Sequence, residues 1–374
     1  METRHISIVG GNLTSALLAL KIKESLPDLP VKIYLDRPAR EDQSWSFRET
    51  DLTAKDWKWL TKIAGVSWKT HKVEFTKFGA TINSGVSVLQ LSDLLANLDA
   101  EVLTDSSLEN VLHKSIFVID TRNNSYVSTL GFYKTTEFML ELESDHQILH
   151  PMMMDGRVEQ KDGIRYFQYF PMGEKSLLLK EIRLSAKPKL IGEDFESTIM
   201  NFARAKGWKV SDQSKKNIHI QRIPQVTPEL NHLGRIIRLS GYINEVSGES
   251  LPDIMRVINL MVKTSFRYGE IREVLKTYSE NKEKSRRILR VVSGWILNDK
   301  RSQTSIAFFE QLHKMPSATR EKFFSGEINL GDFWKLTARW FLKVDPSFRR
   351  PKIIPPLESY EPHPPSESQL SLRL

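Results

Sequence analysis

Residues 5–36 read HISIVGGNLTSALLALKIKESLPDLPVKIYLD, and this stretch decides the fold. The β-rich run His5–Val9 predicts a strand, and the apolar spacing of Thr14–Glu24 predicts a helix. Val31–Leu35 predicts a second strand, which Asp36 closes. A strand, a glycine turn, a helix and another strand form the opening βαβ unit of a parallel sheet.

The turn between the first strand and the helix, Gly10 to Ser15, resembles a dinucleotide-binding loop only in part. In the G-x-G-x-x-G pattern, each glycine serves the tight turn, the close approach of a diphosphate, or helix packing. Gly10 keeps the first position, Asn12 takes the second and Ser15 the third. Asparagine tolerates left-handed dihedral angles, so we expect the turn to survive and the side chain to crowd a phosphate. Asp36 is placed to accept hydrogen bonds from a ribose. Two alternatives stay open, a working nucleotide site and a βαβ unit that binds nothing.

Later segments predict a further parallel strand, a hairpin and a helical C-terminal half. These elements are a strand at 116–119 ending in Asp120, hairpin strands at 165–170 and 177–184, a helix at 194–206, and mostly helical sequence over 251–340. The tail from Pro351 is rich in proline, and we expect it to be disordered. Strand–helix segments on both sides of an aromatic, β-rich middle predict a nucleotide domain assembled from distant segments.

Composition excludes several kinds of site. Cysteine is absent, which excludes disulfides, thiolate metal sites and cysteine nucleophiles and suits a reducing compartment. The histidines are scattered without metal-ligand spacing, so we predict no metal site. Residues 261–350 hold 19 Lys and Arg against 10 Asp and Glu, and such a basic surface meets water, anionic lipid or nucleic acid. The N-terminus has no apolar leader, and no run approaches the roughly 18 apolar residues of a transmembrane helix.

Six stretches, taken in order, resemble the bacterial lycopene β-cyclase family. Gln43–Leu52 resembles its H-T-W-S-F-H-x-x-D-L motif, Val118–Arg122 its V-I-D-x-R-G motif, and Gly241–Pro252 its G-x-x-H-P-x-T-G-Y-S-L-P block. Shorter likenesses lie at Asn83–Gly85, Pro151–Pro171 and Met315–Asp332. Each motif is short, and their shared order along the chain from about residue 6 to residue 345 carries the resemblance.

The resemblance implies an α/β fold, in which an FAD-binding Rossmann-type βαβ domain carries an inserted β-sheet substrate domain and C-terminal helices. The implied division assigns 1–42, 95–128 and 235–285 to the FAD-binding domain, 43–94 and 129–234 to the β-rich substrate domain, 286–350 to the helical region and 351–374 to a disordered tail.

The resemblance also implies a reaction. It is the redox-neutral cyclisation of the ψ-end groups of lycopene to β-ionone rings, which begins with protonation of a terminal double bond and passes through a carbocation. Reduced FAD is the implied cofactor, with NAD(P)H as its reductant. Lycopene has no polar group, so the implied site is a long apolar, aromatic-lined channel that opens at a membrane surface. The implied location is the cytoplasmic face of the inner membrane, with no nucleic acid partner.

The implied site residues depart from the family pattern. The flavin site would include Gly10, Gly11, Asn12, Asp36, Asp120, Gly241 and Gly248. The acidic catalytic motif L-[IL]-E-[DE]-T reads Leu178-Leu179-Lys180-Glu181-Ile182, so Lys180 replaces the first acidic residue and Glu181 keeps the second. A lysine about 4 Å from a carbocation costs on the order of 4 kcal/mol at an effective dielectric near 20.

These departures leave three functions open. The first is a lycopene β-cyclase-type isomerase, an intramolecular lyase, with reduced activity. The second is a catalytically impaired homologue that binds a polyene or a partner without turnover. The third is an FAD-dependent oxidoreductase of the related hydroxylase class.

Several of the singled-out residues also have purely structural explanations. Glu181 then is an exposed strand carboxylate paired with Arg183 on the same face. The others are turn residues (Asp155, Asp162), solvated loop charges (Glu245, Glu249) and packing residues (Trp45, Phe47, Met152–Met154). The aromatic and basic helix Phe333–Lys343 either packs on the domain or lies in a membrane interface.

Overall fold

The computed structural model describes residues 5–35, 43–96, 98, 100–102, 108–122, 129–160, 163–187, 195–224, 232–239, 251–298 and 302–343. Its strands are β1 (His5–Val9), β2 (Val31–Leu35), β3 (Ser44–Arg48), β4 (Val66–Trp68), β5 (His71–Phe75), β6 (Phe78–Ile82), β7 (Val86–Gln90), β8 (Ala100–Val102), β9 (Ser115–Asp120), β10 (Thr129–Leu142), β11 (Met152–Asp155), β12 (Ile164–Pro171), β13 (Ser176–Ser185), β14 (Val210–Pro224), β15 (His232–Leu233) and β16 (Ile236–Arg238).

Its helices are α1 (Leu13–Ser25), α2 (Ala54–Ile63), α3 (Leu91–Leu95), α4 (Leu108–Lys114), α5 (Phe195–Ala205), α6 (Leu251–Lys263), α7 (Tyr268–Asn298), α8 (Ser302–His313), α9 (Ser317–Phe324) and α10 (Leu330–Lys343). A 3-10 turn covers Glu49–Asp51. The predicted strands at the N-terminus, the hairpin and the helical C-terminal half are confirmed, with ends that differ by a residue or two. The predicted disordered tail lies outside the described residues.

The first sheet has six strands in the order β15-β16-β9-β1-β2-β8, and every pair except β15–β16 is parallel. Its central strand β1 is apolar on both faces, as a covered parallel strand requires, and Ile6, Ile8 and Val9 are buried. The helix α1 packs on this sheet through Leu17, Leu18 and other residues, and α6 covers α1. The predicted Rossmann-type α/β fold is confirmed.

The second sheet has seven strands in the order β14-β10-β13-β12-β11-β5-β6, and the pair β11–β5 is parallel while the others are antiparallel. A small third sheet, β3-β7-β4, is formed by strands within residues 44–90, a stretch that also holds β5 and β6 of the seven-stranded sheet. The predicted hairpin is β12–β13, and the predicted packing role of Met152–Met154 is confirmed because all three side chains are buried.

Both faces of the seven-stranded sheet are buried. The inner face carries Leu178 and Ile182 of β13 and packs against β7 and the helices from α7 to α10. The outer face carries Leu177 and Leu179 and packs against α5. Residues on one strand alternate between these faces, so neighbours in sequence enter different environments.

The helix α7 joins the two large cores. It has 31 residues, and its length is about 46 Å at about 1.5 Å per residue. Ile271 and Leu275 near its start lie in the core of the six-stranded sheet, whereas Leu289, Val292 and Ile296 lie in the core on the inner face. One continuous element therefore belongs to both cores.

Candidate active site

The glycine turn after β1 approaches the end of β9 closely. Gly10 has φ of +138°, and a Cβ atom there would overlap the hydroxyl oxygen of Thr121. The amide and the hydroxyl of Thr121 both donate to the Val9 carbonyl, at 2.9 and 3.0 Å. Only glycine can adopt this backbone angle and allow this contact. The close packing against Thr121 therefore explains why position 10, the first of the nucleotide pattern, is a glycine.

Asn12 is the N-cap of α1. Its backbone is extended, with φ of −135°, so the turn forms without a left-handed conformation at this residue. Its Oδ1 accepts from the Ser15 amide at 3.1 Å, and its Nδ2 donates to the Thr121 carbonyl at 2.8 Å. The Ser15 hydroxyl accepts from the Asn12 amide and closes a capping box.

This cap decides how the loop fits a diphosphate. The first amides of a helix have no partner within the helix and form an anion site together with the helix dipole. Asn12 uses the amide of the third helical residue, Ser15, and leaves those of Leu13 and Thr14 to an anion. The loop therefore fits a diphosphate with one helical amide fewer than a glycine at position 12 would leave.

Asp120 lies beside this loop at the end of β9, directly across from Val9. It is buried, and Arg122 donates to its two oxygens at 2.9 and 3.0 Å. Gly10, Gly11, Asn12 and Asp120 thus meet at the carboxyl ends of β1 and β9, where α/β sheets bind ligands. Asp36, Gly241 and Gly248, and with them Glu245 and Glu249, lie outside the described residues.

Lys180 lies on the inner face of the seven-stranded sheet. Its ammonium is 3.2 Å from Oε1 of Glu137, and it donates to the Ser44 carbonyl at 2.8 Å. Glu137 Oε2 accepts from the amide and the hydroxyl of Ser44, at 3.1 and 2.8 Å. Both charged side chains are buried, and the Phe170 ring centroid is 6.0 Å from the lysine nitrogen.

Glu137 was not among the residues predicted from the sequence. It stands on β10 directly opposite Lys180 in the antiparallel register, and that register is not visible in the sequence. The expected repulsion between Lys180 and a carbocation overlooked this partner. The lysine charge is balanced by a carboxylate, so the cost of about 4 kcal/mol applies to an unpaired lysine only.

Glu181, the next residue, points to the outer face. Its Oε1 accepts from the Nε atoms of Arg165 and Arg183, at 2.5 Å each. The predicted pairing with Arg183 is confirmed, but the predicted exposure is wrong, because Glu181 is only 1% exposed. Two guanidinium groups therefore bind one oxygen of this carboxylate in charge-assisted hydrogen bonds.

A second carboxylate on the outer face is Asp155, which ends β11 and is buried. It accepts from Arg157 and Lys206, at 2.8 and 2.7 Å. Burial raises its pKa, but the hydrogen bonds from these two cations outweigh burial, so the pKa lies below the usual range. The prediction that Asp155 is a turn residue is wrong, and Asp162 lies outside the described residues.

Two buried histidines lie at the edge of the inner face. His71 Nδ1 donates to the Ser84 carbonyl at 3.0 Å, and His313 Nδ1 donates to the Phe309 carbonyl at 2.8 Å. Burial, with help from the nearby Arg48 guanidinium, lowers the pKa of His71 to about 4, and burial lowers the pKa of His313 to about 3. Both histidines are therefore neutral at pH 7.

The structure places the aromatic candidates as follows. Phe47 is buried in the core of the six-stranded sheet and Trp45 packs against it, as their packing role predicts. In α10, Phe333 is buried, and its ring centroid lies 5.5 Å from that of Trp295 in a tilted arrangement. Trp334, the next residue, is 65% exposed. The side chains of 339–343 lie outside the described part.

A cavity of about 640 Å³ opens between α6 and α7. Its lining mixes apolar with charged residues, among them Leu260, Lys263, Glu270 and Glu273, and so differs from the expected aromatic channel. Among the described residues, no three His, Asp or Glu side chains gather into a metal site. None of the described helices has the length and the apolar character to cross a membrane.

The sequence of this chain is similar to one protein family over almost its whole length. A family model described as lycopene cyclase protein matches residues 5–349. The lycopene beta-cyclase of Paracoccus sp. (strain N81106 / MBIC 01143) is 22% identical over 364 residues, which cover 88% of this chain and 92% of the relative. The lycopene beta-cyclase of Pantoea ananas is 20% identical, with 87% and 91% covered.

Solved structures are similar in fold. A geranylgeranyl bacteriochlorophyll reductase-like protein from Thermoplasma acidophilum superposes with a TM-score of 0.55 at 12% identity, covering 92% of this chain and 98% of its own. The Diels-Alderase PyrE3 of pyrroindomycin biosynthesis gives a TM-score of 0.51 at 10% identity, with 87% and 81% covered. At such identities these likenesses establish the fold.

Proposed function

This chain belongs to the lycopene cyclase family, and from that premise we propose that it cyclises the ψ-end groups of lycopene to β-ionone rings without net redox change. It thereby acts as an isomerase, an intramolecular lyase, in carotenoid biosynthesis. The observation that carries the proposal is the family match over residues 5–349, together with a buried charge pair set in the apolar inner face.

The reaction needs an apolar surface and a source of protons. The inner face offers aromatic side chains around Lys180, among them Tyr166 and Phe170, which suit a polyene that has no polar group. Of the two residues of the acidic motif, Lys180 lies on this face and contacts the substrate end group. Glu181 lies on the other face and acts through β13, whose position it fixes with Arg165 and Arg183.

The proposed cofactor is FAD in its reduced form, with NAD(P)H as reductant. The turn Gly10-Gly11-Asn12 and the start of α1 hold the diphosphate, Asp36 binds the ribose, and Asp120, Gly241 and Gly248 border the flavin. When bound, the cofactor supplies an electron-rich ring system that is not consumed. The support in this chain is the close Gly10–Thr121 approach and the anion site at α1.

Flavin binding tests this site through Asn12. Asn12→Gly removes the cap and returns the Ser15 amide to the diphosphate, so we expect reduced FAD to bind several-fold more tightly. Asp36→Ala is expected to weaken binding. Anaerobic titration calorimetry with reduced FAD measures both dissociation constants, and no uptake by any variant at tens of micromolar FAD would contradict the flavin proposal.

The proposed location is the cytoplasmic membrane face, where lycopene is dissolved. The support is the exposed Leu330 and Trp334 of α10 next to Lys335, in the segment that holds the excess of positive charge. Trp334, Trp340 and Phe341 replaced together by serine should reduce binding to anionic vesicles. High salt should weaken the contribution of the cations, and unchanged partitioning would contradict a membrane role for this helix.

The domain division given by the sequence, with its FAD-binding and substrate segments, is part of this proposal. Membership of the sheets supports it, because β1, β2, β8, β9 and β16 share one sheet, whereas β10 to β14 share another.

A lycopene-accumulating bacterial host tests the activity. We expect low conversion by the unchanged chain, and a gain for Lys180→Glu that exceeds any loss for Glu181→Gln. The reason is that Lys180→Glu places a second carboxylate beside Glu137, and two neighbouring carboxylates share one proton, which makes one of them an acid. Chromatography of the extracted pigments measures the ring products. Full conversion by the unchanged chain with impairment by Lys180→Glu would contradict the assignment of Lys180.

A second candidate function is binding of a polyene without turnover. The observation that favours it is that Asn12 caps α1 at the diphosphate position while Lys180 stands in the acidic motif. Uptake of lycopene without ring products, by the unchanged chain and by Lys180→Glu, would favour this candidate. The hydroxylase-class alternative would instead consume NAD(P)H and oxygen, which an oxygen electrode detects.

A further inference from the structure

Glu137 is a buried carboxylate on the inner face of the sheet, and among the described residues it has a single cationic partner. Its side chain is 6% exposed, and Lys180 is 3.2 Å away. By contrast, the buried outer-face carboxylates Glu181 and Asp155 each bind two cations. Of these three carboxylates, Glu137 is the one on the apolar inner face, and it leaves room for a further contact because one cation rather than two is bound to it.

The pair with Lys180 is a poor device for stability alone. Burial strips water from both charges, and apolar residues of similar volume would commonly give the same or greater stability. The pair also stands among apolar side chains, with Phe170 and Ile182 in the same cluster. A buried ionic pair in an apolar surface marks a candidate for chemistry.

The carboxylate is held in a fixed orientation. The Ser44 amide and hydroxyl occupy two acceptor positions of Oε2, and Lys180 occupies one of Oε1. A carboxylate has about four acceptor positions, so one remains for another group. Ser44 begins β3, and the inner face therefore meets the small third sheet at this residue.

We propose that Glu137 is the acid that protonates the substrate end group, with Lys180 as its proton partner. This inference rests on the proposed function. In the resting pair, the ammonium of Lys180 passes a proton to Glu137, which leaves a neutral amine beside a carboxylic acid. Glu137 then gives that proton to the terminal double bond, and the π electrons form the new C–H bond.

The remaining steps return the proton. The neighbouring double bond attacks the carbocation and closes the ring by a C–C bond, while the Glu137 carboxylate stabilises the positive charge. A ring C–H proton then leaves to Glu137, and its electrons form the ring double bond. The pair regains one proton for each one given, so no oxidant or reductant is consumed.

The order of two substitutions separates an acid from a structural anchor. Glutamine keeps the length of Glu137 and its amide oxygen can accept from Ser44, but its amide nitrogen cannot accept from Lys180 and the side chain is no acid. Aspartate keeps the acid but is too short for those contacts. We expect Glu137→Gln to lose at least about 100-fold in cyclisation rate, and Glu137→Asp to retain more activity than Glu137→Gln. The structural alternative predicts the reverse order.

The experiment uses purified full-length protein with FAD, a reductant and lycopene in vesicles, and chromatography of the rings. Glu141→Gln is the matched control, since it removes a partly buried carboxylate from the same strand that accepts from Ser176 in the described contacts. Thermal melting of every variant identifies those that do not fold. Adding Lys180→Glu to Glu137→Gln should restore part of the lost activity, because the carboxylate returns to the same place from the neighbouring strand.

The outcomes separate this inference from the proposed function. Cyclisation by the unchanged chain with equal or higher activity in Glu137→Gln than in Glu137→Asp would overturn the role of Glu137 alone. No cyclisation by the unchanged chain and none by Lys180→Glu would overturn the proposed function, and the inference with it.

Discussion

The two faces of the seven-stranded sheet bury charge in opposite ways. On the inner face, Lys180 is balanced by one carboxylate, Glu137. On the outer face, Glu181 is shared by Arg165 and Arg183, so cations outnumber it. One step along β13 thus separates a one-to-one ion pair from a cluster in which two cations share one carboxylate. The comparison teaches that residues adjacent in a motif need not share a role.

The largest expected effect lies on the outer face. Glu181→Gln leaves Arg165 and Arg183 buried without their counter-charge, and we expect it to lower the free energy of unfolding by about 3–5 kcal/mol. Urea unfolding followed by circular dichroism measures the change. Glu141→Gln is the control, because this partly buried carboxylate of β10 accepts only from Ser176 in the described contacts. Equal losses in the free energy of unfolding for the two substitutions would show that the cluster around Glu181 contributes no more to stability than an ordinary carboxylate does.

The two faces should also differ in how their stability depends on pH. His71 has a folded pKa of about 4 against 6.5 when unfolded, so the unfolded chain binds more protons between these values. Its contribution is fully present above pH 6.5 and is lost as the pH falls towards 4, by about 3 kcal/mol in total. His71→Gln should remove about half of the slope between pH 6.5 and 4, because His313, with a folded pKa of about 3, contributes the rest. Urea unfolding at several pH values measures the slope.

The outer face should respond at lower pH. The pKa of Asp155 lies below its unfolded value of 3.8, so its contribution is present above 3.8 and is lost only as the pH falls through the lower folded value. Asp155→Asn should therefore leave the slope between pH 6.5 and 4 unchanged. A slope in that window that is undiminished in His71→Gln and disappears in Asp155→Asn would reverse the comparison.

A smaller effect is expected at Lys180. Lys180→Met removes the counter-charge of Glu137, but the two Ser44 donors remain, so we expect a loss of about 2 kcal/mol. Adding Glu137→Leu should recover most of the loss, because an apolar pair replaces the buried charge. Thermal and urea unfolding of the single and double variants form the test. A double variant less stable than the single one would mean that Glu137 stabilises the sheet without Lys180.

The smallest effect is expected where α10 covers the inner face. Trp334 is 65% exposed, so Trp334→Ser should change the free energy of unfolding by less than about 0.5 kcal/mol. Phe333→Ser is the contrast, since Phe333 is buried against Trp295 and its loss opens a cavity. Similar melting temperatures for both variants would show that α10 does not seal the inner face.

The fold was readable from the sequence because periodicity is local. The apolar spacing from His5 to Leu35 depends only on neighbouring residues, and so do the two strands of the β12–β13 hairpin. The exposure of Glu181 was not readable, because both faces of β13 are buried and the usual polar alternation is lost. A strand with two buried faces gives no sign of which side meets solvent.

The sequence predicted only those parts of the candidate site that a single continuous segment forms. The glycine turn gave Gly10, and the motif gave Lys180, but the partners Glu137 and Thr121 come from strands distant in sequence. The cap formed by Asn12 was also missed, although an asparagine followed three residues later by a serine is a recognisable cap signal. The expected crowding of a phosphate by Asn12 depends on the size of that side chain, whereas its hydrogen bonds decide its place in the turn.

The long helix α7 has a consequence for how the molecule opens. Because its first turns lie in one core and its last turns in the other, neither core can come apart without exposing part of the same helix. Amide hydrogen exchange should then show similar protection along both buried ends of α7, as in one cooperative unfolding unit. The continuous helix α7 thus couples the two cores mechanically, so that they should unfold together in one transition.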